Sequence, residues 1–169
     1  MTGKYTKDNA VFALAIYEWQ GTRDILQFHA LFEQWVMLIV MPPDDVWLHD
    51  GGEGWKGKEH KYKTFVRRGI IHEKEWKSLD YHWRREPSAR AYEAVSISVT
   101  TDLSPKLKIL IDEAVVPDVG NVFENLMRLA CEALLPIYGI GLAVPYSWSP
   151  GTFISGNGSG YVRPEQDIP

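Results

Sequence analysis

His49, Asp50, Glu53 and His72 are of the types that ligate a metal ion or carry protons, and together they could serve a small metal-dependent hydrolase. Their spacing crosses the turn formed by Gly51, Gly52 and Gly54, so nothing in the sequence holds them in one geometry. A polar, exposed turn is the stronger reading. The run His72-Glu73-Lys74-Glu75-Trp76 begins like the helical zinc-protease motif, but Trp76 stands where the second histidine ligand must be. Gly156-Asn157-Gly158-Ser159-Gly160 lacks the lysine and following helix of a phosphate cradle, and it lacks the glycine pattern of a nucleophile elbow. Cys131, between Ala130 and Glu132, has no sequence neighbour that would lower its pKa. The acidic pairs Asp44–Asp45 and Asp112–Glu113 are adjacent in the chain, and nothing sets them across a sugar-sized gap. These observations predict no catalytic residue, no metal site and no cofactor.

Binding chemistry is better represented. Seven Trp, eight Tyr and six Phe in 169 residues exceed what a minimal core needs, and aromatic side chains are enriched at interfaces. The net charge of −4 is unevenly spread: residues 1–55 carry −5, 56–90 carry +6, 91–135 carry −4 and the remainder −1. Such blocks fold into patches that steer partners. The basic stretch Lys56 to Arg68, with Trp55 and Tyr62 available for stacking, suggests nucleic-acid binding as an alternative. The acidic chain and the lack of a recognition-module signature argue against it, and a solvated basic helix face is the plainer reading.

The elements that must position these groups follow from periodicity. Val11 to Trp19 reads as a strand. Thr22 is placed to cap a helix carrying Ile25, Phe28, Phe32, Trp35, Val36 and Ile39 at helical spacing, stopped by Pro42–Pro43. Asp45 to His49 reads as a short strand and Lys58 to Arg68 as a helix with Tyr62, Phe65 and Val66 on one side. Residues 70–90 show no clean period and read as irregular, so that 56–90 forms a basic insert. Tyr92 to Thr101 alternates as a strand, and Leu107, Ile109 and Ile111 mark a partner reaching about Val115. Asn121 and Glu124 resemble a capping box, opening an amphipathic helix from Val122 to Leu134 that Pro136 ends. Ile137 to Val144 is the last strand.

The order is strand–helix–strand, insert, strand–strand–helix–strand. It predicts an α+β two-layer sandwich: a mostly antiparallel sheet, helices on one face, and two strand–helix–strand halves forming a loose repeat. The chain reads as one domain over residues 1–169, with 1–9 and 148–169 as flexible ends. A single cysteine allows no intrachain disulfide, and the longest apolar run, Trp35 to Met41, is far below the ~20 residues of a membrane span. A cytoplasmic protein with no membrane partner is expected; the oligomeric state stays open.

Two stretches carry a family resemblance. The first is the strand Val11–Tyr17, the helix with Phe28, Phe32 and Trp35, and the run from Val46 to Trp55. The second is the strand 92–101 and the run from Val122 to Gly141, where Leu134, Pro136 and Gly139 match a Leu-x-Pro-x-x-Gly ending that leads into a small-residue strand. Over roughly residues 10–55 and 90–147 the chain resembles a family of bacterial type VI secretion immunity proteins. The resemblance implies a non-enzymatic antitoxin in the cytoplasm that binds a cognate secreted toxin, in some relatives a nuclease, and covers its active site. The mixture of acids and aromatics that would suit a basic toxin cleft lies in Asp44, Asp45, Trp47, His49, Asp50, Glu53 and Trp55, which are the candidate partner-binding residues. The competing reading places Trp47 in the core and leaves the acids as solvated turn residues.

Overall fold

The computed structural model describes residues 10–39, 41–51, 57–84, 93–101 and 105–145. Glu53, Trp55, the glycine-rich run 156–160 and the two ends read as flexible, 1–9 and 148–169, lie outside the described residues. Seven strands, β1 (Ala10–Trp19), β2 (Asp45–His49), β3 (Lys58–Lys61), β4 (Ser78–Arg84), β5 (Glu93–Thr100), β6 (Lys106–Asp112) and β7 (Pro136–Pro145), form one antiparallel sheet in the order β3-β2-β4-β5-β6-β1-β7. The helices are α1 (Ile25–Val36), α2 (Tyr62–Arg68) and α3 (Val119–Leu134), with one 3₁₀ turn at Ile70–His72. The fold is α+β, as the element pattern predicts.

One pleat row shows where the core lies. His60, Val46, Tyr81, Ile97, Ile109, Leu14 and Gly141 are register partners across all seven strands. Phe32 of α1 packs edge-on to Tyr81, and a Cβ on Gly141 would touch Met127 and Phe123 of α3. Both long helices therefore cover this face. Their apolar stripes, Ile25, Phe28, Phe32 and Trp35 on α1 and Phe123, Leu126, Ala130 and Leu134 on α3, are buried in a single cluster with the inward residues of β1, β2, β4, β5 and β6.

Local chemistry explains the helix ends, and two caps differ from expectation. Asp24, not Thr22, is the N-cap of α1: its Oδ1 accepts from Leu26 N at 2.9 Å, while the Thr22 hydroxyl accepts from Asp24 N at 3.0 Å and so shapes the preceding turn. Asn121 and Glu124 form no capping box. The helix already begins at Val119, so Asn121 lies inside it and its amide donates back to Asp118 at 3.2 Å. At the far end Leu135 adopts a left-handed conformation (φ 51°), which turns the chain directly into β7. The carbonyls of Leu135 and of Leu134, the last residue of α3, accept from Gln20 N and Gly21 N at 3.2 and 2.9 Å. Gly21 must be glycine for this approach, because a Cβ would stand 2.8 Å from the Ala133 oxygen.

Three larger expectations are corrected. Lys58–Lys61 is a strand, not the first turn of a helix. It pairs with β2, and only Tyr62–Arg68 is helical, closed by Gly69 in the left-handed region. Val66 is exposed there, and Phe65 is the buried member. The irregular insert contains β4, which joins β2 to β5: Leu79, Tyr81 and Trp83 point into the core and Asp80, His82 and Arg84 point away. The two strand–helix–strand runs, β1–α1–β2 and β6–α3–β7, are present along the chain but do not form separate halves of the sheet. β1 does not lie beside β2; it lies between β6 and β7 and completes the C-terminal side of the sheet. β6 ends at Asp112, whose Oδ1 accepts from Ala114 N at 2.8 Å to form the turn that stops it.

Candidate functional site

The face opposite the helices bears no described helix, and its composition changes across the sheet. On β6, β1 and β7 it is largely apolar, with Leu110, Ala13, Ala15, Tyr17, Ile140 and Leu142 packed together. On β3, β2, β4 and β5 it is polar, and two register rows carry the chemistry. One runs Lys61, Asp45, His82, Ser96; the next runs Glu59, Trp47, Asp80, Ser98, and continues to Lys108.

Strand β2 divides its side chains by period two. Val46 and Leu48 are buried in the core, whereas Asp45, Trp47 and His49 point to the polar face. Trp47 is not a core residue: it is 36% exposed and its indole meets the His82 ring edge-on, 6.0 Å between centroids. Asp45, on the same face, is fully buried. Lys61 Nζ and Arg84 Nε stand 2.7 and 2.5 Å from its two carboxylate oxygens, and Arg84 Nη2 donates to Glu59 at 2.6 Å. A carboxylate removed from water requires such partners. Asp44 remains exposed at the strand's start, with Oδ2 accepting from Arg84 N at 2.8 Å.

His49 lies beside Asp80, Nε2 to Oδ2 3.9 Å. Ser78 and Ser98 both donate their hydroxyls to that carboxylate, Ser78 at 3.3 Å. Serine, histidine and aspartate are thus neighbours, but the serine protons are directed to the aspartate. A nucleophilic serine needs its proton on the imidazole, so this arrangement orders the surface and does not activate a nucleophile. Gly57 lies against the His49 ring; a Cβ there would stand 2.2 Å from its Cε1. Glycine at 57 is what lets the ring approach the neighbouring backbone so closely.

Of the residues singled out from the sequence, the structure brings Asp45, Trp47 and His49 onto one face and places Asp44 at its rim. Asp50 is ion-paired with Lys74, whose ammonium also lies 4.5 Å from the Trp76 ring centre. His72 is exposed at the 3₁₀ turn, on the side of His29. Among the described residues no three His, Cys, Asp or Glu side chains come together as a metal-binding group. In the basic stretch, Lys61 is engaged by Asp45, while Lys63, Arg67 and Arg68 are exposed on α2. Sequence reasoning missed Glu59, Asp80, His82, Arg84 and the two serines. Their signal was the alternation of Leu79, Tyr81 and Trp83 with polar residues, obscured by the charges around it.

A second polar cluster lies on the helix side. Tyr81 and Tyr62 donate to the Glu33 carboxylate at 2.8 and 2.9 Å, and His29 Nδ1 stands 2.7 Å from the Tyr81 oxygen. Each phenol has one proton and gives it to Glu33, so the imidazole is the donor to Tyr81. Burial, then Glu33, raises both phenols, Tyr62 to about 12, and burial lowers His29. The cluster fastens α1, α2 and β4 to one another. Between α1 and α3 an open groove of about 290 Å³ is lined by Thr22, Gln27, Ala30, Leu31, Gln34 and Ala133, with no ionisable group among them.

No described helix is long and apolar enough to cross a membrane. No family model, curated protein or solved structure significantly matches the chain.

Proposed function

We propose that this chain is an immunity-type binding protein that neutralises a cognate secreted bacterial toxin in the cytoplasm by covering its active site, using the polar face of β2, β3 and β4. The observation that carries this reading is Trp47: a large aromatic side chain, more than a third exposed, rising from a sheet face that no described helix covers. Around it stand Glu59, Asp80, His82 and His49, several already tied into pairs or hydrogen bonds. Interfaces concentrate binding energy in such a ring: an aromatic anchor that is desolvated on docking, with ordered polar groups at its edge. Because Asp45, Asp50 and Glu59 are ion-paired within the fold, specificity toward a basic cleft falls on Asp44 and Asp80 rather than on the acidic run as a whole.

The test is binding to the product of the adjoining effector gene, measured by calorimetry, with growth protection on co-expression. The unaltered protein is expected to form a stable complex. Trp47→Ala should weaken it by about 2 kcal/mol or more, roughly 30-fold, while leaving the far-ultraviolet spectrum unchanged. Absence of a complex with the unaltered protein, together with absence of protection, overturns the reading.

A further inference from the structure

The sheet has two edges, and they are built differently. β3 is four residues long and carries Lys58, Glu59 and Lys61, the charged protection typical of an edge that must not pair. β7 is ten residues long and carries no charge. The chain in fact contains no Asp, Glu, Lys or Arg from Ala133 to Val162. Among the described residues no strand lies on the outer side of β7. Leu135, Ile137 and Tyr138 at its start are all more than half exposed, and Gly139, Gly141 and Ala143 are exposed along it.

The order of residues in β7 suggests what fits there. Register with β1 puts Tyr138, Ile140, Leu142 and Val144 on the helix-free face and Gly139, Gly141 and Ala143 on the helix side. Large and small residues alternate symmetrically about Gly141. An antiparallel strand of the same sequence, centred there, sets Gly141 opposite Gly141 of the second copy, Ile140 opposite Leu142, Gly139 opposite Ala143 and Tyr138 opposite Val144. Large residues meet large ones on one face. Small residues meet small ones beneath the helices, where α3 and its copy need room. This register overlaps residues 137–145 of the two copies, and it places no like charges across the seam.

We propose that β7 is a self-association edge, and that two copies pair through it about a two-fold axis to make one continuous fourteen-stranded sheet. Trp47 lies on β2, five strand spacings from β7, or about 24 Å at about 4.8 Å per strand. The dimer therefore leaves both polar faces free, and its test is independent of toxin binding.

Sedimentation across a concentration series should show a species of two 19.3 kDa chains. Gly141→Lys, which sets two ammonium groups opposite each other, should shift it to one chain with an unchanged far-ultraviolet spectrum. Gly141→Cys in a Cys131→Ser background should give a disulfide-linked dimer under mild oxidation, and this arm decides the question if the lysine variant does not fold. A protein that sediments as one chain at every concentration overturns the proposal. So does a dimer that survives Gly141→Lys and does not cross-link. A single chain whose β7 amides resist hydrogen exchange also overturns it, and assigns the edge to the chain's own C-terminal segment instead.

Discussion

Glu33 holds two phenols and, through one of them, an imidazole, and the protonation of this group determines how α1, α2 and β4 respond to pH. Tyr62, raised to about 12 by burial and by Glu33, prefers its neutral form in the folded chain. Its contribution is complete below the ordinary phenol value of 10 and is lost as pH rises from about 10 to about 12. His29, lowered chiefly by burial, is also preferred neutral. Its contribution is complete above about 6.5 and declines as pH falls below that value. The urea midpoint should therefore fall on both sides of a plateau between about pH 7 and 10. Tyr62→Phe should lose stability at neutral pH but fall less steeply between pH 10 and 12. An equal alkaline slope in the two proteins would exclude this role for Tyr62. Asp45 shows why single residues were hard to read. It looks as available as Asp44 in the sequence, yet one is fully buried between Lys61 and Arg84 and the other is exposed.

Among the elements, α1 and α3 were legible because their apolar stripes follow the helical period and their cores are free of charge at the buried positions. Leu126 and Phe123 are buried as that stripe requires. Leu126→Ala and Phe123→Ala should each cost about 2–5 kcal/mol in denaturant unfolding. Less than about 1 kcal/mol at both would mean that the sheet-facing side of α3 is not the one described. The strand β4 was illegible for the opposite reason. Its alternation is sound, but its outward positions carry Asp80, His82 and Arg84, and the flanking Lys74, Glu75, Lys77 and Arg85 hide the period. β3 was misread because four residues are too few to separate a period of 2 from one of 3.6.

At the scale of the molecule, the chain's first strand completes its last part. β1 pairs with β6 and β7, joining residues near position 14 to residues near 109 and 141. α1 carries the chain back across the sheet to β2, near the opposite edge. β1 therefore has no strand partner within the N-terminal half of the chain. Removing residues 1–19 takes away the only described strand paired with β7 and is expected to abolish cooperative unfolding and near-ultraviolet dichroism. A truncated chain that still melts cooperatively would show that β1 is dispensable.

The sequence by itself determined the class of fold, the two long helices, and the strands whose inward residues alternate without interruption, because these depend on periods within one segment. Tertiary structure alone decided that β1 lies between β6 and β7, that β4 is an interior strand, that Asp45 is neutralised and that Trp47 stands exposed. Each of these depends on which strand lies beside which. That choice is made by contacts between residues tens of positions apart, and no local period records it.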